Sequence, residues 1–192
     1  LFRDGEAVRM SKRTGEMVTF EELVAEVGAD AARYWFLRRS TDQQVDFDIA
    51  VATQQSAENP VYYVQYAHAR ICSILRKAAD VEQGAVDDLA ESLISPTTDL
   101  APLTHEAELA LMRQLDEFAE VVEVASRDLA PFKLARYAED LAAAFHQFYT
   151  QCRVVDPDEP GLTQARLFAV DATRRALRCV LGLLGVGAPE SM

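Results

Sequence analysis

Hydrophobic residues recur at intervals of three and four through most of the chain after residue 58. This spacing places them on one side of an α-helix, where they can pack against a core. The pattern predicts four long amphipathic helices: one over about 59–79, one beginning at Thr104 and ending near Ser126, one beginning at Pro131, and one from Thr163 to about Leu184. Gly185 stands where glycine commonly ends a helix. Four such helices predict an all-α fold built around a helical bundle.

The first 56 residues show shorter elements. Roughly the first 18 residues alternate short apolar stretches with glycines, which predicts a hairpin-like or loop region. Thr19 and Glu22 have capping-box spacing, so a helix is expected to begin there and to end at Gly28. Asp30 is expected to cap a second helix reaching about Arg39, and residues 49–57 are compatible with a third. We place a domain boundary here, dividing the chain into 1–56 and 57–192.

The connection after the 59–79 helix is predicted to be a loop. It contains Pro and Asp residues and ends near Pro102, which makes it roughly twenty residues long. Loops of this length are uncommon in compact domains. A second loop is predicted over residues 156–161.

Charge limits which partners the helices can bind. The formal net charge is -12 at pH 7, and phosphate neutralisation by basic side chains normally dominates affinity for nucleic acids. Acidic residues are concentrated in 21–30, 80–99 and 156–159, whereas arginines recur in the predicted helices. A locally basic surface therefore remains compatible with RNA, and the acidic surroundings would discourage indiscriminate binding to polyanions.

Composition favours a globular protein of the reducing cytoplasm. No apolar stretch approaches the roughly 20 residues that span a bilayer, so no membrane anchor is expected. Cys72, Cys152 and Cys179 are odd in number and widely spaced, which argues against a disulfide framework and a zinc site. The chain begins at Leu1 without a signal pattern, and we expect it to be a piece of a longer protein.

The helix predicted from Asn59 carries an unusual aromatic face. Asn59 suits the capping position and Pro60 the first helical position. Tyr63, Tyr66 and Arg70 then fall within about 60° of one another. The opposite side carries aliphatic residues that suit a core: Val64, Ala67, Ile71, Ile74 and Leu75. Phenol rings and a guanidinium can stack on and hydrogen-bond to a planar, anionic partner such as single-stranded RNA.

The alternative is that these tyrosines are half-buried core residues whose hydroxyls reach water. Tyr62 lies about 100° from Tyr63 around the helix and is the better candidate for such a structural role.

A short basic stretch near the start of the chain suits phosphate. It consists of Arg9, Met10, Ser11, Lys12 and Arg13 between two glycines. A lysine ammonium on a flexible stem can stabilise the charge that develops on a nucleotide triphosphate during phosphoryl or nucleotidyl chemistry. Taken alone, the stretch is a weak signal, and a solvated turn is the more common explanation of such a composition.

Five segments, in order, resemble arginyl-tRNA synthetase, a class I aminoacyl-tRNA synthetase. Residues 9–13 resemble the family's Lys-Met-Ser-Lys-Ser signature, and 59–70 resemble the opening of its all-helical anticodon-binding domain. Residues 28–34 with 45–48 are similar to its connecting stretch, 171–178 to its arginine-rich segment and 184–192 to its C-terminus. The resemblance covers the whole chain. It implies an anticodon-binding helical bundle preceded by a short, mostly helical remnant of the class I catalytic domain.

The resemblance implies an ATP-binding and catalytic role for the basic stretch. Lys12 matches the second lysine of the signature, which contacts ATP phosphates during arginyl-adenylate formation, and Ser11 and Met10 match their signature positions. Arg9 stands where the signature has its first lysine, so the charge is kept in a planar guanidinium. Arg13 replaces the final serine. Lys12, Arg9 and Ser11 are the implied catalytic residues, and 9–13 the implied ATP-binding residues.

The resemblance also implies a tRNA-binding set. Tyr63, Tyr66 and Arg70 match a Tyr-x-x-Tyr-x-x-x-Arg pattern whose side chains meet the anticodon loop, and Met192 matches a position near the anticodon. The whole enzyme would join arginine to tRNA(Arg) with ATP and Mg2+, without DNA or a membrane as partner. Because the nucleotide-binding sheet and the amino-acid pocket are expected upstream, we expect this chain alone to be inactive. The alternatives are a non-catalytic helical protein-interaction module and the anticodon-binding domain of another class I synthetase.

The remaining candidate residues are expected to be mainly structural. The histidines, His68, His105 and His146, have no partners at ligand spacing, so no metal site is expected. Asp46 and Asp48 suit turn and capping positions, and Trp35 and Phe36 suit packing at the junction of the two parts. Arg174 and Arg178 are one turn apart and either line an RNA face or pair with acidic residues such as Asp171.

Overall fold

The fold was analysed in a computed structural model that describes residues 1–3, 6–7, 19–80 and 85–192. The basic stretch over 9–13 lies outside these residues. The described elements are, in chain order, β1 (Phe2–Arg3), β2 (Glu6–Ala7), α1 (Phe20–Val27), α2 (Ala29–Leu37), α3 (Ile49–Thr53), α4 (Pro60–Ala78), α5 (Val86–Leu93), α6 (Glu106–Asp116), α7 (Phe118–Arg127), α8 (Phe132–Gln151) and α9 (Pro160–Leu183). The predicted all-α class is confirmed.

A small apolar cluster organises the first part of the chain. β1 and β2 pair antiparallel with Phe2 opposite Ala7, in agreement with the hairpin-like expectation. Both hydrogen bonds of the Thr19 capping box are present at the start of α1. Leu23, Phe47, Ile49 and Ala52 are buried together, and the half-buried Trp35 packs against them. Trp35 therefore packs, as expected, but against residues of the first part and not at the junction of the two parts.

Two predictions for the first part were wrong, one about the cap of α2 and one about the length of α3. α2 begins at Ala29, directly after Gly28, so Asp30 is not its cap. The Asp30 carboxylate instead accepts hydrogen bonds from Gln65 and from the amide of Gly187. α3 ends at Thr53 instead of continuing to residue 57, and Asp48 caps it as expected.

The main core is a bundle in which α4, α8 and α9 pack against one another, with α6 against α8 and α9. α4 spans Pro60–Ala78, as predicted, and its five predicted core residues are all buried: Val64, Ala67, Ile71, Ile74 and Leu75. The Asn59 side chain does not cap this helix. Its amide group donates to the carbonyls of Ala52 and Gln54, each at 2.9 Å, and so holds the preceding loop.

The predicted 104–126 helix is two helices. α6 ends at Asp116 and α7 begins at Phe118. Thr104 is not the cap of α6. The imidazole of His105 accepts from the Ala107 amide, while the His105 amide donates to the Glu108 carboxylate at 2.8 Å. This capping box was missed because histidine is not among the common capping residues.

Two further boundaries also differ from the prediction. α9 begins at Pro160, because proline is already suited to the first helical position. The Thr163 hydroxyl instead bonds to both the amide and the carbonyl of Asp156. The connection predicted as a loop up to Pro102 contains α5, whereas Gly185 ends α9 with a φ of 67°, as predicted. None of the described helices is long and apolar enough to cross a bilayer.

Candidate nucleic-acid interface

The exposed side of α4 meets α8 in a group of aromatic side chains. Because α4 begins at Pro60 and buries its aliphatic side, Tyr62, Tyr63, Tyr66 and Arg70 face outward or toward α8. α8 contributes His146 and Tyr149 at the same level of the bundle. We call these six residues the aromatic surface: Tyr62, Tyr63, Tyr66, Arg70, His146 and Tyr149.

The rings of the aromatic surface are nearly parallel around Tyr66. The Tyr62 and Tyr66 centroids are 6.1 Å apart with an interplanar angle of 13°. The Tyr66 and His146 centroids are 5.9 Å apart at 24°. Tyr63 contacts the same imidazole at 4.9 Å with a tilt of 50°. Tyr66 is 39% exposed, so this large apolar ring keeps contact with solvent.

Arg70 is oriented by Tyr149. Its guanidinium carbon lies 4.8 Å from the centre of the Tyr149 ring, and one of its terminal nitrogens donates to the Tyr149 hydroxyl at 2.9 Å. Within 19–80 and 85–192, no carboxylate lies within ion-pair distance of Arg70. The aromatic surface therefore presents an oriented cation whose charge is not neutralised by those residues.

A cleft of about 380 Å³ opens beside the tyrosines. Its walls are Gln55, Ser56, Ala57, Tyr62, Tyr63, Tyr66 and His146. The volume lies within the range of small-molecule sites, and the walls combine flat rings with an amide and a hydroxyl. Such a cleft suits a planar heteroaromatic group with hydrogen-bonding edges, which is the chemistry of an unpaired nucleobase.

Burial keeps two groups of the aromatic surface uncharged near neutral pH. It raises the pKa of the Tyr63 hydroxyl, which therefore remains a phenol. Burial lowers the pKa of His146 below its ordinary value; a hydrogen bond with the Tyr63 backbone opposes this shift, and the Arg70 charge adds to it. The Nε2 atom of His146 is buried and has no hydrogen-bond partner among the described residues.

The C-terminal tail lies along a different side of α4. Gln65 donates to the Gly187 carbonyl at 2.9 Å, His68 Nδ1 donates to the Pro189 carbonyl at 2.8 Å, and Arg76 pairs with Glu190 at 2.8 Å. Arg76 is six residues beyond Arg70, or about 9 Å along the helix axis. Met192 follows this last anchored residue and is 56% exposed. The structure thus brings Tyr63, Tyr66 and Arg70 together, but the tail contacts do not place Met192 with them.

Arg174 and Arg178 form ion pairs within the bundle. Arg174 is fully buried and lies 2.7 Å from Asp171 and 2.8 Å from Asp87. Arg178 pairs with the same Asp87 at 2.8 Å. Of the two alternatives for these arginines, the structure therefore favours ion pairing.

The comparisons with known proteins agree with this architecture. The model of the DALR anticodon binding domain matches residues 64–192. The chain belongs to this family. The DALR bundle includes most of α4 and all of α5–α9, and it carries Tyr66, Arg70, His146 and Tyr149 of the aromatic surface.

Relatives of the whole chain are arginine–tRNA ligases. The chain is 53% identical over 192 residues to the arginine–tRNA ligase of Dehalococcoides mccartyi strain BAV1, and 50% identical over 196 residues to that of Heliobacterium modesticaldum. Each alignment covers 100% of this chain and 33% of the relative, so the chain spans about a third of their length.

Solved structures give the same result. Thermus thermophilus arginyl-tRNA synthetase is 33% identical, with a TM-score of 0.65 over 94% of this chain and 29% of that one. A Campylobacter jejuni protein assigned to the same enzyme class has a TM-score of 0.82 at 27% identity, covering 100% of this chain and 39% of that one. The resemblance inferred from the five sequence segments is confirmed.

Sequence reasoning missed two ring-bearing residues of the DALR bundle's aromatic surface. His146 was expected to be a structural residue of its helix, and Tyr149 was not considered. A signal was present in the segment Phe145-His146-Gln147-Phe148-Tyr149, where aromatic and polar rings flank the buried positions Phe145 and Phe148. The pairing of this segment with the start of α4 is a tertiary contact that helical spacing does not predict.

No cluster of His, Cys, Asp or Glu suited to a metal ion occurs among the described residues. The predicted roles of Arg9, Met10, Ser11, Lys12 and Arg13 lie outside those residues and stay predictions, as does the division at residue 56.

Proposed function

We propose that this chain is the C-terminal part of an arginine–tRNA ligase and that its DALR bundle binds the anticodon region of tRNA(Arg) through the aromatic surface. The observation that carries the proposal is the stack of Tyr62, Tyr66 and His146 beside Arg70. The relatives named above support arginine–tRNA ligase as the enzyme class.

Stacking supplies affinity that the net charge of the chain does not. A base stacked on an aromatic side chain contributes about 1–3 kcal/mol, and the exposed ring of Tyr66 offers such a platform. The cleft beside it supplies polar edges from Gln55 and Ser56. With a net charge of -12, non-specific attraction to polyanions is weak, so binding depends on unpaired bases more than on phosphates.

Arg70 supplies local positive charge. The Tyr149 ring and hydroxyl hold the guanidinium in one orientation before RNA arrives. A side chain that is already oriented loses less conformational freedom on binding. Arg70 is therefore suited to contact either a backbone phosphate or a base of the anticodon loop.

Met192 belongs to the proposed tRNA-binding set with a smaller role. The anchored Glu190 holds the end of the chain against α4, and the exposed Met192 side chain is available for an apolar contact. Its contribution is expected to be minor, because the tail approaches α4 at Gln65, His68 and Arg76 instead of at the tyrosines.

We further propose that residues 9–13 contact ATP phosphates in the longer enzyme, with Lys12, Arg9 and Ser11 acting in arginine activation. ATP and Mg2+ would then be needed by the whole enzyme and not by this chain alone. ATP–pyrophosphate exchange tests this: the 192-residue chain is expected to show none, and Lys12→Ala in the full-length enzyme is expected to reduce the exchange rate strongly. Exchange by the 192-residue chain would contradict the proposal.

RNA binding is tested by titrating a fluorescently labelled tRNA(Arg) anticodon stem-loop with the chain. Tyr66→Ala is expected to weaken binding about tenfold, because one stacked base is lost, whereas Tyr66→Phe should bind nearly as well as the original chain. Phe20→Ala is the matched control, since Phe20 is an aromatic residue of α1 that is 62% exposed. Equal affinities of the Tyr66→Ala variant and the original chain would exclude Tyr66 from the site.

The salt dependence of the same titration tests the protein-interaction alternative. A chain that contacts RNA phosphates should bind more weakly as salt rises, because counterions compete for the same positions. Absence of stem-loop binding even at low salt would favour a non-catalytic interaction module.

A further inference from the structure

His146 has an unusual combination of contacts for a histidine of a helical bundle. Its ring lies against Tyr63 and Tyr66 of α4, and against its own neighbour Phe145 at 5.6 Å. Its Nε2 atom is buried without a partner among the described residues. The imidazole also has a hydrogen bond with the Tyr63 backbone, so its polar and aromatic contacts both connect α8 to α4.

We propose that His146 is a positioning residue for RNA binding, which holds the ring of Tyr66 in the orientation on which an unpaired base stacks. The inference rests on the proposed function and adds a residue to it. His146 acts through Tyr66 and need not touch RNA.

The first support is geometric. Tyr66 lies at an exposed position of α4, where a long side chain without packing on both sides would sample several rotamers. Here its ring is nearly parallel to Tyr62 at 13° and to His146 at 24°. Tyr62 belongs to the same helix, whereas His146 belongs to α8. His146 is therefore the ring that ties Tyr66 to the rest of the bundle.

The second support is that α8 is rigidly placed at this point. Phe145 and Phe148, which flank His146 in sequence, are fully buried in the main core. The backbone that carries His146 is thus held by close packing on its inner side. Fixing a side chain in the free protein reduces the entropy lost when the partner binds.

The third support is charge. The titratable groups that face His146 are Tyr63, Tyr66 and Arg70, all from α4. Burial and the Arg70 charge favour the neutral imidazole and together outweigh the opposing hydrogen bond with the Tyr63 backbone. A neutral ring stacks on Tyr66 without repelling Arg70, so one cation stays available for RNA.

A double-mutant cycle with Tyr66 tests the proposal. His146→Ala in the original chain is expected to weaken binding of the labelled stem-loop about fivefold, and His146→Ala in the Tyr66→Ala background by less than about twofold, because coupled residues do not contribute additively. His146→Phe, which keeps a flat ring, should restore affinity to within about twofold of the original chain.

A second variant separates ring positioning from simple filling of space. His146→Leu fills the site without a flat ring and is expected to bind as weakly as His146→Ala, while its unfolding midpoint in urea stays close to that of His146→Phe. If His146→Ala proves too unstable to titrate, the Leu and Phe variants complete the same cycle. Equal affinity of these two variants would overturn the proposal.

The outcomes distinguish this inference from the proposed function. If Tyr66→Ala weakens binding but His146→Ala has the same effect in both backgrounds, His146 does not act through Tyr66 and only the inference is overturned. If Tyr66→Ala leaves the affinity unchanged, both the use of the aromatic surface and the inference are overturned.

Discussion

The two sides of α4 differ in what their polar and aromatic side chains contact. On the aromatic surface, Tyr66 and Arg70 are exposed, and their contacts are with other rings. On the tail side, Gln65 and His68 donate hydrogen bonds to carbonyls of the C-terminal segment, and Arg76 pairs with a carboxylate. One side is open to solvent, and the other is closed by the chain itself.

Arg70 and Arg76 show this difference between the two sides of α4. The side chain of Arg76 is 18% exposed and its charge is paired with Glu190. Arg70 is exposed, lies over the Tyr149 ring and has no carboxylate partner within ion-pair distance among residues 19–80 and 85–192. A polar group whose partners lie within the protein stabilises the fold, whereas an oriented cation without an anionic partner is available for an external anion. Arg76 therefore belongs to a structural side of the helix, and Arg70 to the side that we propose binds RNA.

Deletion of the C-terminal tail is expected to have the largest effect, which is on the stability of the bundle. Deletion of residues 186–192 removes the buried Val186 and the hydrogen bonds to Gln65 and His68. Burial of one valine contributes about 1.5–3 kcal/mol and each hydrogen bond about 1 kcal/mol, so the free energy of unfolding in urea should fall by roughly 3 kcal/mol or more.

Deletion of only Ser191 and Met192 is the control for that truncation. It leaves the contacts of Gly187, Pro189 and Glu190 in place and should change the free energy of unfolding by less than about 0.5 kcal/mol. Equal stability of the two deletions would mean that the tail contacts do not stabilise the bundle.

Substitution of Arg70 is expected to have the next largest effect, and Arg76 provides its matched control. Arg70→Gln should weaken binding of the anticodon stem-loop about five- to tenfold and reduce the salt dependence by about one phosphate contact. Arg76→Gln removes the same charge from the same helix, but Arg76 is already paired, so its affinity should stay within about twofold of the original chain. Similar losses of affinity in both variants would show that RNA binding depends on the net charge of the chain and not on the aromatic surface.

The pH dependence of stability involves both sides of α4. Burial lowers the pKa of His68 under the tail and of His146 at the aromatic surface. The folded chain therefore binds fewer protons than the unfolded chain below the ordinary histidine pKa of about 6.5, and the free energy of unfolding should fall as pH is lowered from 7.5 to 5.5. Urea titrations at these two pH values measure the change.

His68→Gln should reduce this pH dependence, because one of the two buried imidazoles is removed. Asp87 affects stability only at lower pH. The Arg178 hydrogen bond lowers the pKa of Asp87 to about 2, so its contribution to the free energy of unfolding is lost only below about pH 4. An unchanged difference between pH 7.5 and 5.5 in the His68→Gln variant would show that His68 does not contribute.

The smallest expected effect is that of Met192. Met192→Ala should weaken binding of the stem-loop by less than about twofold, because loss of a partly exposed apolar contact costs only tenths of a kcal/mol. A loss of tenfold or more in the same titration would place the end of the tail in the centre of the interface and would connect the two sides of α4.

Local patterns predicted the helices better than their caps. Apolar spacing predicted α4 and α8 closely, and the Thr19 capping box and Gly185 were also correct. Asn59, Asp30 and Thr163 were expected to cap helices, but each side chain bonds elsewhere. Capping propensity reflects hydrogen bonds between a side chain and the first backbone amides of its own helix. In the folded chain, other backbone and side-chain groups compete for the same side chain.

Local sequence patterns also predicted only part of the candidate site. Tyr63, Tyr66 and Arg70 were predicted to share a face, and they do. The partners His146 and Tyr149 are more than 75 residues away in sequence, and no local pattern pairs them with α4. The pairing of the buried Arg174 with Asp87 likewise depends on how α5 and α9 pack, so spacing alone left its role open.

The sequence by itself determined that α4 is an amphipathic helix with tyrosines and an arginine opposite its apolar side, because helical periodicity is a property of neighbouring residues. Only the tertiary structure decided what lies against each side. The tail closes one side through Gln65, His68 and Arg76, and α8 builds the aromatic surface on the other. These pairings depend on close packing between distant segments, and spacing along the chain carries no information about them.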